Sequence, residues 1–486
     1  MEKNYLNRVA WIVVAVVLSL LALYWLPAMT IGGWQLRKID LLSDIRSDSV
    51  VLASSTNGDY SRGQGQELDT RVKRGIVNAV EVPVLEGSRL TRGKDGKLVT
   101  LEDSIIEAEA LKVEKKVGVT SIVDLSEGAA GGMNSFYQAL DMAGSRPVRI
   151  AVLGDSFIEG DIMTAMLREL LQKRFGGKGC GYLPITSITA SNRATVKQSF
   201  EGWTTHKFLD RAGFVDTYNN LTGYYFNASQ GAWVNMECRG NAYPHSASCT
   251  SSSLYYLGGG GTGSASVTIN GATNRFFTLE DYESVGKVTI TGDITSAKWV
   301  IDNPSGIVFL GASMDCDNGV IVDNMSMRSS SGRHLNRIND RILSGFNNVR
   351  PYDLVIIMYG LNVAGRVASE FTEYSRMMQQ AVENIKRCMP GTSVLLVSCS
   401  DREERGSNGF KTMKGVLGLI QAQKRAAINT KVSFWNLYDA MGGEGSIVEM
   451  VKKGEAARDY THLTGRGGDR IARLLYDALM LGYDNR

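Results

Sequence analysis

Residues 148–163 read VRIAVLGDSFIEGDIM, and the order of residue types in that stretch decides the fold class. Val148–Leu153 is a short run rich in β-branched residues, the pattern of a strand buried on both faces of a parallel sheet. Gly154–Gly160 reads as a turn. Asp161–Phe175 (DIMTAMLRELLQKRF) places Ile162, Met166, Leu167, Leu170 and Leu171 at helical spacing. A serine, Ser156, therefore stands at the carboxyl end of a strand and opens a helix, where open α/β sheets carry their sites. That position predicts a hydroxyl near the positive end of the helix dipole, with its own backbone N–H beside it.

The same alternation resumes far downstream. Gly319–Asp323, Leu354–Met358, Ser393–Ser398 and Val432–Trp435 read as strands; Phe371–Cys388, Met413–Asn429 and Gly465–Leu481 read as helices. Alternating β and α predicts a parallel sheet covered by helices, an α/β/α three-layer fold. Between the first and second units the composition turns to Ser, Thr, Asn, Gly and aromatics, with period-2 runs at Ala265–Ile269, Lys287–Thr291 and Lys298–Ile301. Short strands at such spacing predict an inserted β-sandwich or jelly roll. The expected organisation is an anchor over 1–36, a stalk with peripheral helices over 37–117, an α/β unit over 118–194 and 310–486, and a β insertion over 195–309. Glycine, 53 of 486 residues, suits that turn-rich reading better than a helical bundle.

Val9–Leu26 (VAWIVVAVVLSLLALYWL) is almost wholly apolar. As a helix its 18 residues rise roughly 27 Å, about the hydrocarbon thickness of a bilayer. Lys3 and Arg8 precede it, so the expectation is a single-pass anchor with a cytoplasmic amino terminus and an exported remainder, in the periplasm or outside the cell. A cleaved signal peptide is the rival reading; the run is long for one and lacks a small-x-small cleavage site. A net charge of +3 and the lack of a Lys/Arg run leave nothing that would track nucleic acid. None of the six cysteines forms a C-x-x-C pair, so zinc and thioredoxin-like chemistry are unsupported. Cys238 and Cys249 could close a hairpin as a disulfide or stand as two buried thiols.

Two further clusters fall where chemistry is expected. Gly360-Leu361-Asn362 follows the strand Leu354–Met358, and a carboxamide there can donate to developing negative charge. Asp459-Tyr460-Thr461-His462 precedes the last helix. A three-residue spacing on a turn lets the carboxylate accept from the imidazole Nδ1–H, leaving Nε2 to take a serine proton.

The order Ser, Asn, Asp, His resembles the SGNH (GDSL-like) hydrolase superfamily over about 145–195 and 310–486. The resemblance implies Ser156 as nucleophile, Asp459 and His462 as acid and base, and Asn362 as oxyanion donor, with no metal or cofactor required. One block departs from the pattern: where the family has a glycine, Val322–Ser330 (VDNMSMRSS) has Ser329. The backbone N–H of Ser329 can still serve, since every residue but proline has one. A narrower resemblance, on Gly154–Pro184, the β insertion and YGLNVAG, is to periplasmic peptidoglycan O-acetylesterases and cell-wall O-acetyltransferases, in which the insertion is similar to a carbohydrate-binding module. It implies an acetylated cell-envelope glycan as substrate and hydrolysis through an acyl-serine. Two alternatives stand beside it: an O-acetyltransferase fed by a membrane-bound O-acyltransferase partner, and a non-catalytic glycan-binding protein. Trp203, Tyr224, Tyr225, Trp233, Tyr255, Tyr256 and Trp299 either stack on sugars or fill the sandwich core.

Overall fold

The chain divides into two compact units, Met1–Asp69 and Thr70–Arg486. The computed structural model describes residues 88–486, apart from 93–97, 114, 129–130, 211, 282–283, 367 and 407–408, together with a short antiparallel ladder between Thr30–Ile31 and Trp34–Gln35. The anchor and the stalk as far as residue 87 otherwise lie outside the described residues. Among the described residues no helix is long and apolar enough to cross a membrane.

Five parallel strands form the central sheet, in the order Gly319–Ser326, Pro147–Gly154, Leu354–Met358, Ser393–Val397, Ser433–Trp435. Leu354–Met358 and Ser393–Val397 are buried at every position, which is why they read as unbroken apolar runs rather than as alternation. Helix Thr164–Phe175 packs on Gly465–Asp484, and Ala368–Cys388 on Lys414–Thr430.

The first strand in sequence, Pro147–Gly154, sits second in the sheet. The chain goes to its left for Gly319–Ser326 and then to its right for Leu354–Met358. This reversal is a topological switch point, which leaves a crevice at the carboxyl ends of these three neighbours. Ser156, Ser329 and Asn362 follow those three strands in turn.

The helix expected from Asp161 starts only at Thr164. A single 3-10 turn, Glu159–Asp161, intervenes, and Gly160 and Asp161 have φ of 67° and 68°. The cause is the buried Asp161 carboxylate. It accepts from Thr164 Oγ1 (2.6 Å), Thr195 Oγ1 (2.6 Å) and Arg168 Nη1 (3.1 Å), and turning it inward breaks the helical run. Ser156 thus precedes the helix by eight residues, too far for the dipole to act on it, because that field fades within the first turn.

The intervening β structure is a nine-stranded, largely antiparallel array. Its long strand Tyr224–Cys238 pairs with Ser296–Asn303 at one end and with Val308–Asp315 at the other. The strands so joined enclose a separate core, crossed by the Trp299 Nε1–H bond to Ser252 Oγ (3.0 Å). The array draws in Gly181–Leu183, ahead of residue 195, and runs on to Asp315, past residue 309, so its pairing exceeds the limits expected from composition. All six cysteines are free thiols.

A buried ionic cluster joins this β module to the parallel sheet. Arg350 donates to Asp323 of the parallel sheet (2.6 and 2.7 Å) and to Asp315 of the module (2.6 and 3.0 Å); Tyr352 and the Tyr182 N–H complete Asp323. Burial opposes ionisation, but the Arg350 charge and its hydrogen bonds hold Asp315 below the usual carboxylate range.

Candidate active site

Gly154, the last residue of its strand, is closely surrounded: a Cβ there would lie 2.7 Å from Ile158 Cδ1 and 3.0 Å from the Met358 carbonyl oxygen. The chain therefore folds tightly through Asp155, Ser156 and Phe157. The Met327 N–H donates to the Gly154 carbonyl (2.9 Å) and anchors the neighbouring loop on this turn. Ser156 is half-buried, and its Oγ lies 2.9 Å from His462 Nε2.

His462 stands on a loop with its own scaffold. Tyr460 adopts φ of 55° and stacks on Phe410 at 3.9 Å, and the Ala457 N–H donates to the His462 carbonyl (2.8 Å). The Asp459 Oδ2 lies 2.6 Å from His462 Nδ1, while its Oδ1 accepts the backbone N–H groups of Thr461 and His462, each at 3.0 Å. Burial works against the Asp459 charge, but these hydrogen bonds outweigh it and lower the pKa. A carboxylate so held fixes the tautomer: Nδ1 carries the proton and Nε2 accepts from the serine.

Asn362 follows Gly360, whose Cβ would meet Cys399 Cβ at 2.9 Å, so the turn passes close to the next strand end. Its Nδ2 donates to Asp155 Oδ2 (3.1 Å) and to the Ser330 carbonyl (2.9 Å). The amide is thus aimed but occupied; an oxyanion would have to displace the Ser330 carbonyl to receive an N–H. Ser329 is exposed, with φ of 64°, the left-handed conformation in which glycine is favoured. Among the described residues neither the Ser156 nor the Ser329 N–H makes a hydrogen bond. The five residues expected from sequence thus gather around one crevice: three in a hydrogen-bonded relay, Asn362 beside the turn through Asp155, and Ser329 on the adjoining loop.

Sequence reasoning assigned no part to Asp155 and His334. Asp155 is 1% exposed and accepts from the Phe157 N–H (2.9 Å) as well as from Asn362. Burial raises its pKa to about 6, against the lowering effect of the Phe157 N–H, the His462 charge and Asn362. The buried His334 has Nε2 3.1 Å from the Leu221 carbonyl and Nδ1 3.4 Å from Ser330 Oγ. Burial lowers its pKa to about 4, so it is neutral and pins the Ser329 loop. Asp155 was visible as the middle of Gly-Asp-Ser; no local signal marks His334, whose partners are a carbonyl 113 residues away and a loop hydroxyl.

Of the seven aromatics, Tyr225, Tyr255, Tyr256 and Trp299 are core. Trp233 carries Lys298 over its ring at 4.5 Å. Trp203 and Tyr224 line a cleft beside the Ser156 turn.

Among solved structures, a peptidoglycan O-acetylesterase overlays 75% of this chain and 99% of its own with a TM-score of 0.62, at 20% sequence identity. This chain shares its fold with that esterase. The overlay runs the length of that esterase, so the likeness in fold takes in more than the parallel sheet. Smaller overlays are with an acetyl xylan esterase (15% identity, 33% of this chain and 81% of that one, TM-score 0.25) and a lipase/acylhydrolase from Enterococcus faecalis (18%, 34% and 77%, TM-score 0.25), too partial to add to the description of the fold. No protein-family pattern and no curated protein sequence matches the chain.

Proposed function

We propose that this protein is a carbohydrate O-acetylesterase that removes acetyl groups from a cell-envelope glycan through an acyl-serine intermediate. The observation that carries the reading is the relay of Ser156 Oγ, His462 Nε2, His462 Nδ1 and Asp459 Oδ2, with contacts of 2.9 and 2.6 Å. Ser156 Oγ attacks the ester carbonyl as His462 Nε2 takes its proton, and the imidazolium is held by Asp459. The free N–H groups of Ser156 and Ser329 receive the oxyanion, joined by the Asn362 amide as its N–H leaves the Ser330 carbonyl. His462 returns the proton to the departing sugar oxygen, then deprotonates the water that releases acetate. The fold shared with a peptidoglycan O-acetylesterase supports an O-acetylated glycan as substrate. Val9–Leu26 supports a membrane-anchored protein working outside the cytoplasm.

The test is turnover of an aryl acetate and of an O-acetylated glycan by the full chain and by Ser156→Ala. Loss of the serine is expected to lower kcat by about 10³-fold or more. An inactive parent, or a variant as active as the parent, overturns the esterase reading. Counting free acetate against newly acetylated acceptor glycan in the same reaction separates hydrolysis from transfer; glycan acetylation as the major product would replace the esterase by the transferase.

A further inference from the structure

The cleft between the β module and the Ser156 turn contains a buried charge with unmet hydrogen bonds. It encloses about 600 Å³, within the usual range for a small-ligand site. One wall includes Glu159 and Ser326. Ser326 pairs in register with Gly154, two residues before the nucleophile, so this wall adjoins the strand that carries the Ser156 turn. The opposite wall belongs to the module and includes Trp203 and Tyr224. The Trp203 ring is held in place: its Nε1–H donates to the Trp233 carbonyl (2.9 Å), and it meets Phe309 edge-on at 5.2 Å. A fixed aromatic face of this kind suits a sugar ring.

Arg193 lines the same cleft and is 3% exposed. Its Nε and Nη1 are buried without a hydrogen-bond partner. The Asp161 charge acts on Arg193 through space, but its oxygens are hydrogen-bonded to Arg168, Thr164 and Thr195 and accept nothing from Arg193. The other acids on the lining do not serve: Glu159 accepts from Arg328 (2.8 Å), Glu201 from Trp233 Nε1 (3.3 Å), and Asp210 is exposed, with Lys207 on the same lining. Exposed charges are screened by solvent, whereas a buried guanidinium with unmet N–H groups is costly until an acceptor arrives.

We propose that this cleft is a substrate subsite for a carboxylate-bearing sugar, with Arg193 as the partner of the anion and Trp203 and Tyr224 as the walls for the ring. The proposal rests on the esterase reading and adds to it the class of glycan: an O-acetylated chain whose units carry a carboxylate near the acetyl group. Placing the anion at Arg193 would hold the sugar across the cleft with its ester toward Ser156.

The test compares an O-acetylated oligogalacturonate with the same oligomer converted to its carboxamide. The full-length parent is expected to prefer the carboxylate form by about tenfold or more in kcat/KM, and Arg193→Met to reduce that preference to within about twofold. Equal turnover of the two glycans by the parent, or an undiminished preference in Arg193→Met, overturns the proposal. Should Arg193→Met show no cooperative melt, titrating Ser156→Ala with both oligomers decides: tighter binding of the carboxylate form upholds the subsite, and equal binding removes it. An absence of aryl acetate turnover by the parent would instead sink the esterase reading, and the titration would still judge the anion site.

Discussion

Replacing Asp155 by Asn tests whether this buried carboxylate aims the Asn362 amide. In the native site, Asp155 Oδ1 accepts from the Phe157 N–H and Oδ2 from Asn362 Nδ2. A carboxamide has only one oxygen, so in either orientation one contact becomes donor against donor. Asn362 cannot answer by turning over, because its own oxygen would then face the Ser330 carbonyl. Asp155→Asn should therefore lower kcat by about 10²-fold, the usual effect of losing one oxyanion donor. Stability should move the other way. The folded pKa, about 6, lies above the ordinary 3.8, so ionisation disfavours the folded state. At 1.36 kcal/mol per pH unit that is a penalty of about 3 kcal/mol, absent at pH values below the ordinary pKa, growing as pH rises, and complete above the folded pKa. Removing the charge lifts this penalty, and the lost hydrogen bond costs about 1–2 kcal/mol, so the net change at pH 7.5 is a gain of about 1–2 kcal/mol. Denaturant melts of parent and variant at pH 4 and 7.5, beside steady-state kinetics on an aryl acetate, read both quantities. Should kcat fall by less than about threefold, or the variant be destabilised at pH 7.5, Asp155 does not act through Asn362 as argued.

Ser329→Gly keeps the N–H and suits φ of 64° better, so it should retain activity within about threefold; Ser329→Pro removes the N–H and forbids that φ, and should lose about 10²-fold in kcat. Equal activity of the two variants would exclude the Ser329 N–H from the oxyanion site. Arg350→Met leaves Asp315 and Asp323 buried without their counter-charge, and should destabilise the protein by about 3–5 kcal/mol in a denaturant melt. A loss under about 1 kcal/mol would mean that the cluster does not join module to sheet as described.

The strands of the parallel sheet were legible because both of their faces are buried, so their local composition carries the whole signal; Leu354–Met358 runs over the same residues in the structure. The last helix was legible for the same reason, since one face must remain apolar along its length. The start of the helix after Ser156 was not legible: Asp161 leaves the helical path to meet Arg168 and Thr195, contacts made only on folding. The limits of the β module were blurred because Gly181–Leu183 joins its sheet through a pairing with Val308–Asp315, about 130 residues on.

By itself the sequence determined which chemical groups this protein owns and where along the chain they ride: a hydroxyl and an amide after strands, and a carboxylate three residues from an imidazole ahead of the last helix. These follow from local order, which burial and backbone propensity write residue by residue. Only the tertiary structure decided that Ser156 and His462, 306 positions apart, meet at 2.9 Å, that Asp155 accepts from Asn362, and that Arg193 lines a cleft with its Nε and Nη1 unpaired. Such relations depend on strand order at the switch point and on what each buried charge finds beside it, and neither is encoded in any single stretch of chain.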